Sequence, residues 1–317
     1  MKQNRREFIT TLAAAGMTVT FATSFKQDNP LQPEEKFPIR LFSKPLDSYD
    51  FDFMCECAVK SGIGGFDLTV RNGGKAEPAY VESVLPRLAE EARKYNLAFD
   101  MMVTGIVSAT DPLAERVLKT ASELGIKYYR LGWLEYDDKL GIRESLKKYR
   151  ATLREVVELN RKYKIHGSYQ NHSGAMIGGP VWDLDDLLRD LPPESLGIQY
   201  DVRHATVEGA NSWILGLHLI ADHIQTIAIK DFTWKSVNGK PEAVTVPLGE
   251  GIVNWELYFK TLKELKVTCP VTLHIEYPLL DKGEEKVPLI QQQNIIVSKL
   301  RKDMDFLNVN LKKYELT

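Results

Sequence analysis

Four short stretches in the second half of the chain collect the residue types that acid–base or metal chemistry needs. They read Tyr169-Gln170-Asn171-His172-Ser173-Gly174, Gln199-Tyr200-Asp201-Val202-Arg203-His204-Ala205, Ile227-Ala228-Ile229-Lys230-Asp231-Phe232 and Leu273-His274-Ile275-Glu276-Tyr277-Pro278. Each begins as a β-rich run and turns polar at its end. Asp201 and Glu276 are hard oxygen donors suited to a divalent cation, and Glu276 is equally suited to taking a proton. Gln170 offers a neutral amide oxygen to the same cation. His172 and His204 are of the one side-chain type that ordinarily titrates near neutral pH. Lys230 can pair with a carboxylate, donate a hydrogen bond to a hydroxyl, or attack a carbonyl to form a Schiff base. Taken singly, a strand-end Asp or Glu is usually a helix cap or a lysine partner. Gln170, His172, Asp201, His204, Lys230 and Glu276 together point to a pocket, because burying each unpartnered would cost a few kcal/mol. Side chains alternate along a strand. If Gln170, Asp201 and Glu276 face inward, Ser168, Gln199 and His274 do so too, and Ala228 shares the inward face with Lys230.

The elements that must position these residues are legible as an alternation. From Phe37 onward, short β-rich runs are expected at Ile39–Ser43, Gly65–Val70, Ala98–Val103, Tyr128–Gly132, His166–Gln170, Gly197–Asp201, Thr226–Lys230 and Val271–Glu276. Between them lie segments of 3.6-residue periodicity. Val81, Val84, Leu85, Leu88, Ala92 and Tyr95 form one stripe, which Pro86 is expected to kink. Leu113, Val117, Leu118, Ala121 and Leu124 form another, opened by Asp111-Pro112 and closed by Gly125. Further stripes run through Leu146, Tyr149, Leu153, Val156 and Val157, and through Tyr258, Leu262 and Leu265 after Asn254. A last helix around Leu289 to Leu307 would close the ring. Strand–helix alternation implies right-handed parallel crossovers. Eight such units predict a (β/α)8 TIM barrel, α/β in class, as a single domain over residues 37–317. No G-x-G-x-x-G follows the first strand, and no phosphate loop is present, so the open doubly wound sheet lacks its usual cues. In a barrel the active site lies at the C-terminal ends of the strands. That is where the four polar stretches fall. Trp133 after the fourth strand and Trp234 after the seventh are candidate stacking faces for a sugar ring, and Arg71 and Asn72 after the second strand are candidates for the pocket rim.

These motifs resemble the xylose isomerase-like barrels, a family that includes sugar isomerases, ketose 3-epimerases and apurinic endonucleases. The resemblance spans about residues 37 to 280. It is carried by x-Asn-His after the fifth strand, Asp-x-x-His after the sixth, Lys-Asp after the seventh, the Pro-Leu-Gly-Glu-Gly loop at Pro247 to Gly251, and His-x-Glu on the eighth. It implies a metal site held by a Glu on strand five, an Asp on six, a His on seven and a Glu on eight. Asp201 and Glu276 match, and His204 matches a histidine that contacts substrate in the epimerase branch. Gln170 stands where that branch has the strand-five Glu, and Ala228 where it has the strand-seven His. The implied metal set is therefore Gln170, Asp201 and Glu276 with waters, for Mg²⁺ or Mn²⁺. A substitute nitrogen from His172, His204 or His274 would turn it toward Mn²⁺ or Zn²⁺. The implied catalytic residues are Glu276, His204 and Lys230, and the implied substrate contacts are His172, His204, Trp133, Trp234 and Arg71. Two-base epimerisation needs a proton acceptor on each face of the substrate, and Gln170 cannot be one. Two readings follow: a metal-dependent sugar isomerase or epimerase, and a metal-independent sugar-binding or altered-chemistry barrel. The endonuclease branch needs more histidines than the six present, two of which fall on helices.

Composition is ordinary for a soluble globular enzyme and too apolar for disorder. The 317 residues are 44% hydrophobic and 26% charged, with a formal net charge of −2. No basic stretch interleaved with aromatics is present, which argues against nucleic acid as a partner. Cys55, Cys57 and Cys269 read as small apolar fillers. Arg5-Arg6 followed by the uncharged run from Ile9 to Phe25 has the form of a twin-arginine export leader over residues 1–25, with a linker at 26–36. The expected setting is periplasmic, without stable membrane insertion once the leader is removed. A homo-oligomer is left open.

Overall fold

The computed structural model describes residues 36–317, so the expected leader and all of the expected linker except Lys36 lie outside the described residues. Among the described residues no helix is long and apolar enough to cross a membrane. Eight parallel strands close into a barrel: β1 (Ile39–Phe42), β2 (Gly65–Val70), β3 (Ala98–Thr104), β4 (Tyr128–Arg130), β5 (His166–Gln170), β6 (Leu196–Asp201), β7 (Ile224–Ile229) and β10 (Val271–Leu273). Each is hydrogen-bonded to its neighbours in chain order, with β10 closing against β1. Helices follow the strands: α1 (Phe51–Ser61), α2 (Val81–Lys94), α3 (Ala114–Glu123), α4 (Gly141–Tyr163), α5 (Trp182–Leu188), α6 (Val202–Gly209) with α7 (Trp213–Ile220), α8 (Trp255–Glu264) and α9 (Leu289–Lys313). The predicted apolar stripes are the buried ones. Val117, Leu118 and Ala121 line α3, Leu153, Val156 and Val157 line α4, and Tyr258 and Leu262 line α8. Asn254 caps α8 through its side chain, which accepts from Leu257 N. Helix α2 runs unbroken through Pro86. The three cysteines are free and buried, as expected of fillers.

Two features depart from the alternation. The strand expected at 226–230 starts earlier and ends at Ile229, and Asp231 opens an antiparallel hairpin, β8 (Asp231–Val237) with β9 (Lys240–Val246). Its turn is Asn238-Gly239, both at positive φ (52° and 78°), the backbone that a tight two-residue hairpin turn demands and that Asn and Gly adopt most easily. The eighth barrel strand is also shorter than expected, ending at Leu273, so Glu276 is carried on the segment beyond it.

The barrel interior is more polar than the branched apolar filling usual in this architecture. Ser168, Gln199, Thr226 and His274 are all buried, and among the described residues Ser168 Oγ, Gln199 Oε1, Thr226 Oγ1 and both His274 ring nitrogens have no hydrogen-bond partner. The Phe42 ring stacks on His274 with centroids 4.2 Å apart. The register pairs Gln170 with Gln199 and Asp201 with Ala228. It thereby brings the polar ends of β5, β6 and β7 to one level, beside the segment that carries Glu276.

Candidate active site at the ends of strands five to eight

Lys230 is the centre of the site. It is the first residue after β7, its side chain is 2% exposed, and its Nζ is 3.0 Å from Asp201 Oδ2, 3.0 Å from Glu276 Oε2 and 2.9 Å from His204 Nε2. The partners arrive from separate elements. Asp201 is the last residue of β6 and also the N-cap of α6, its Oδ1 accepting from His204 N at 3.1 Å. That bond places the His204 ring one turn along, on the side of the carboxylate that faces Lys230. Asn171 locks the strand end from the other side: its Nδ2 donates to Asp201 O (2.9 Å) and its Oδ1 accepts from Asp201 N (2.8 Å).

A second set of contacts holds Gln170 and Trp133. Gln170 Nε2 donates to Asp201 Oδ2 at 2.9 Å, and Gln170 Oε1 accepts from Arg130 Nη1 at 2.7 Å. The Arg130 guanidinium lies 4.2 Å from the centroid of Trp133, a cation–π contact with Arg130 almost fully buried. Trp133 meets the His172 ring edge-on at 4.8 Å, and the rings of His172 and His204 are 3.9 Å apart. On the far side of His204, Nδ1 is 2.9 Å from Ser173 Oγ, and Arg203 Nη1 is 3.2 Å from that hydroxyl. Arg203 Nη1 is also 2.9 Å from His204 Nδ1, so both ring nitrogens face cations that can only donate, an arrangement that calls for a neutral imidazole.

Electrostatics favour that neutral state. Burial, then the Lys230 ammonium, pushes His204 well below the usual histidine range, and the same two causes lower His172. Burial alone would raise the Glu276 carboxyl, but Lys230, with further help from His274 and Lys44, outweighs it and holds the group far below the ordinary carboxylate range. Burial, reinforced by nearby Arg71, brings Arg130 down to about 10. Glu276 is the carboxylate that faces outward: its side chain is 26% exposed, whereas that of Asp201 is fully buried.

The structure gathers Gln170, Asp201, His204, Lys230, Glu276, His172 and Trp133 into one connected cluster. Arg71 and Trp234 fall outside it. Arg71 packs 6.0 Å over the Phe42 ring at the mouth beside β1 and β2, and Trp234 stands half exposed on the hairpin, edge-on to Phe232. Neither makes a hydrogen bond to the cluster. Glu250 pairs with Lys302 on the surface. Sequence reasoning missed Arg130, Ser173, Arg203 and Lys44, the last placing its Nζ 3.5 Å from Glu276 Oε1. Their signal was position alone: Arg130 ends its strand, and Ser173 and Arg203 lie inside the polar stretches.

The divalent ion implied by the resemblance does not fit these residues as they stand. Gln170 has turned its amide nitrogen to Asp201 and given its oxygen to Arg130, so it offers no free oxygen. Ala228 carries no donor. Between the two remaining carboxylates lies an ammonium rather than a gap. Among the described residues no group of three or more His, Cys, Asp or Glu side chains is placed to hold a metal ion.

Comparison with known proteins agrees with the architecture. No curated protein matches the chain. Among solved structures, a xylose isomerase domain protein from Planctomyces limnophilus superposes with a TM-score of 0.64 at 16% identity, over 89% of this chain and 99% of that one. D-psicose 3-epimerase from Clostridium cellulolyticum H10, solved with D-tagatose, gives 0.63 at 11% identity, over 87% and 99%. A probable 3-DHS dehydratase from Bacillus anthracis gives 0.62 at 14% identity, over 84% and 98%. At such identities the likeness is one of fold. The sequence model that describes a xylose isomerase-like TIM barrel matches residues 55–294, and the chain belongs to that family.

Proposed function

We propose that this protein is an enzyme of the sugar isomerase/epimerase type, acting on a sugar or sugar derivative at the mouth formed by β5, β6, β7 and β10. The observation that carries the reading is the Lys230 cluster: a carboxylate facing the opening and a neutral imidazole, each within hydrogen-bond distance of the same ammonium. Family membership and the fold shared with sugar epimerases support it.

In this reading Glu276 removes the proton from the carbon beside the sugar carbonyl. Lys230 donates a hydrogen bond to the oxygen on which negative charge develops, and stabilising that charge is usually the largest single contribution to such a reaction. As the oxygen takes over the ammonium, Glu276 loses its strongest partner and becomes a better base. His204, held neutral and anchored by Ser173 and Arg203, keeps the ammonium aimed. Trp133 and His172 supply the faces against which the ring packs. Gln170 cannot accept a proton, so one carboxylate serves the reaction. A single base fits proton transfer between neighbouring carbons on one face better than inversion at one carbon. The test is to incubate the protein with keto- and aldo-sugars in D₂O and follow ring-proton signals by NMR. Deuterium entering beside the carbonyl, with an isomer formed, supports the reading. Sugar binding with neither exchange nor an isomer formed would replace it by the metal-independent binding barrel.

The proposal extends to location. Arg5-Arg6 and the uncharged run after them support export by the twin-arginine route to the periplasm. Fractionation of cells making the wild-type chain and an Arg5→Lys/Arg6→Lys variant checks it, the variant being retained inside.

A further inference from the structure

We infer that Lys230 is the resident cation of this pocket: its ammonium occupies the position between Asp201 and Glu276 that a divalent ion would take, and the natural protein therefore binds no such ion there. The inference concerns the cation alone and stands whichever reaction the pocket performs.

Three observations carry it. The Nζ contacts are those of a coordinated centre, with two carboxylate oxygens at 3.0 Å and an imidazole nitrogen at 2.9 Å, delivered by β6, α6 and the segment after β10. The three N–H bonds of an ammonium are thereby all used. The side chain is 2% exposed, so the charge is built into the barrel and does not sample solvent. Around it the charges are already balanced toward the positive. Asp201 and Glu276 bring two negative charges. Lys230 brings one positive, with Arg130 on Gln170 and Arg203 beside His204 adding two more. A divalent ion touching both carboxylates would sit against the ammonium at close range, and the amide that replaces a carboxylate at Gln170 removes the charge that would have offset it.

The substitution has a chemical consequence. An ammonium presents a single point charge with directional donors, whereas a metal ion can clamp two substrate oxygens at once. The pocket can therefore polarise one oxygen, and alignment of the rest of the ring falls to Trp133 and His172.

The experiment is a Mn²⁺ titration of the purified, chelator-treated protein, read by the electron paramagnetic resonance signal of free Mn²⁺ and by calorimetry, with Lys230→Ala and Lys230→Ala/Gln170→Glu alongside. Wild type is expected to leave the free-ion signal undiminished at millimolar Mn²⁺. Lys230→Ala is expected to bind it at least about tenfold more tightly than wild type, and the double variant more tightly still. One equivalent of Mn²⁺ bound by wild type overturns the inference. A folded Lys230→Ala that binds Mn²⁺ no better than wild type overturns it as well. If neither variant folds, the wild-type titration decides the question alone.

Discussion

Two buried aspartates at the same end of the barrel, thirty residues apart in the chain, are satisfied in opposite ways. Asp231 accepts from the backbone N–H groups of Phe232, Gly249, Gly251 and Val253 and from Trp255 Nε1, at 2.8 to 3.2 Å. All of these donors are fixed by the chain, and the carboxylate pins the Pro247–Gly251 loop to the base of the hairpin. The loop comes so close that a Cβ on Gly251 would lie 2.0 Å from Asp231 Oδ1. Asp201 instead takes two of its bonds from side chains, Lys230 and Gln170, which can exchange partners when something enters the mouth. A charge satisfied by backbone is architecture, and one satisfied by side chains beside an opening is available for chemistry. Lys230 and Asp231 are adjacent in sequence and divide the two tasks.

The contrast can be broken by substitution. Asp231→Ala strands several buried donors at once and should cost about 4 kcal/mol or more of stability, read by urea unfolding, with activity lost only as far as the fold is. Glu276→Gln should do the reverse. Turnover should fall by roughly 10²- to 10⁴-fold, the usual contribution of a positioned proton-transfer group, with a smaller loss of stability than in Asp231→Ala because Asp201 still pairs Lys230. A large loss of stability in Glu276→Gln, or unaffected turnover, would place Glu276 with Asp231.

Asp67 on β2 tests the barrel interior beneath the site. Burial pushes its carboxyl up to about 7, with Thr272 and Arg130 offsetting only part of the effect. A carboxyl raised in the folded state contributes stability that is full below its unfolded value near 4 and is lost as pH rises through about 7. Wild type should therefore lose stability between about pH 4 and pH 7 and level off above it, and Asp67→Asn should flatten that decline, leaving the variant relatively favoured at pH 8 by a few kcal/mol. Urea midpoints across that range check it, and parallel curves would refute it. The smallest effect is expected at Trp133. Trp133→Ala should raise KM about tenfold with a lesser change in kcat, because it removes a packing face and leaves the proton-transfer groups in place.

Much of the fold was legible because alternation is a local property. Strands β2 and β5 have the predicted ends, and the predicted stripes of α3, α4 and α8 are buried. The hairpin was overlooked although Asn238-Gly239 is a strong turn signal, because the alternation of eight units already accounted for the segment around it. In the site, the residue types and the level at which Asp201, His204, Lys230 and Glu276 meet were readable from strand ends. The position of the ammonium was not. It depends on three elements converging through long-range closure of the barrel, and on Arg130 drawing the Gln170 oxygen away from Asp201. Arg71 and Trp234 were chosen for type and approximate place; Arg71 packs over Phe42 and Trp234 lies on β8, edge-on to Phe232.

The claim that the Lys230 cluster is where a sugar reacts is tested most directly by the crystal structure of the protein soaked with a sugar that it turns over. The account predicts density packed against Trp133, with a sugar oxygen within hydrogen-bond distance of Lys230 Nζ and a ring carbon facing the Glu276 carboxylate. A sugar bound on another face, with the contacts of Lys230 to Asp201, Glu276 and His204 undisturbed, would contradict it.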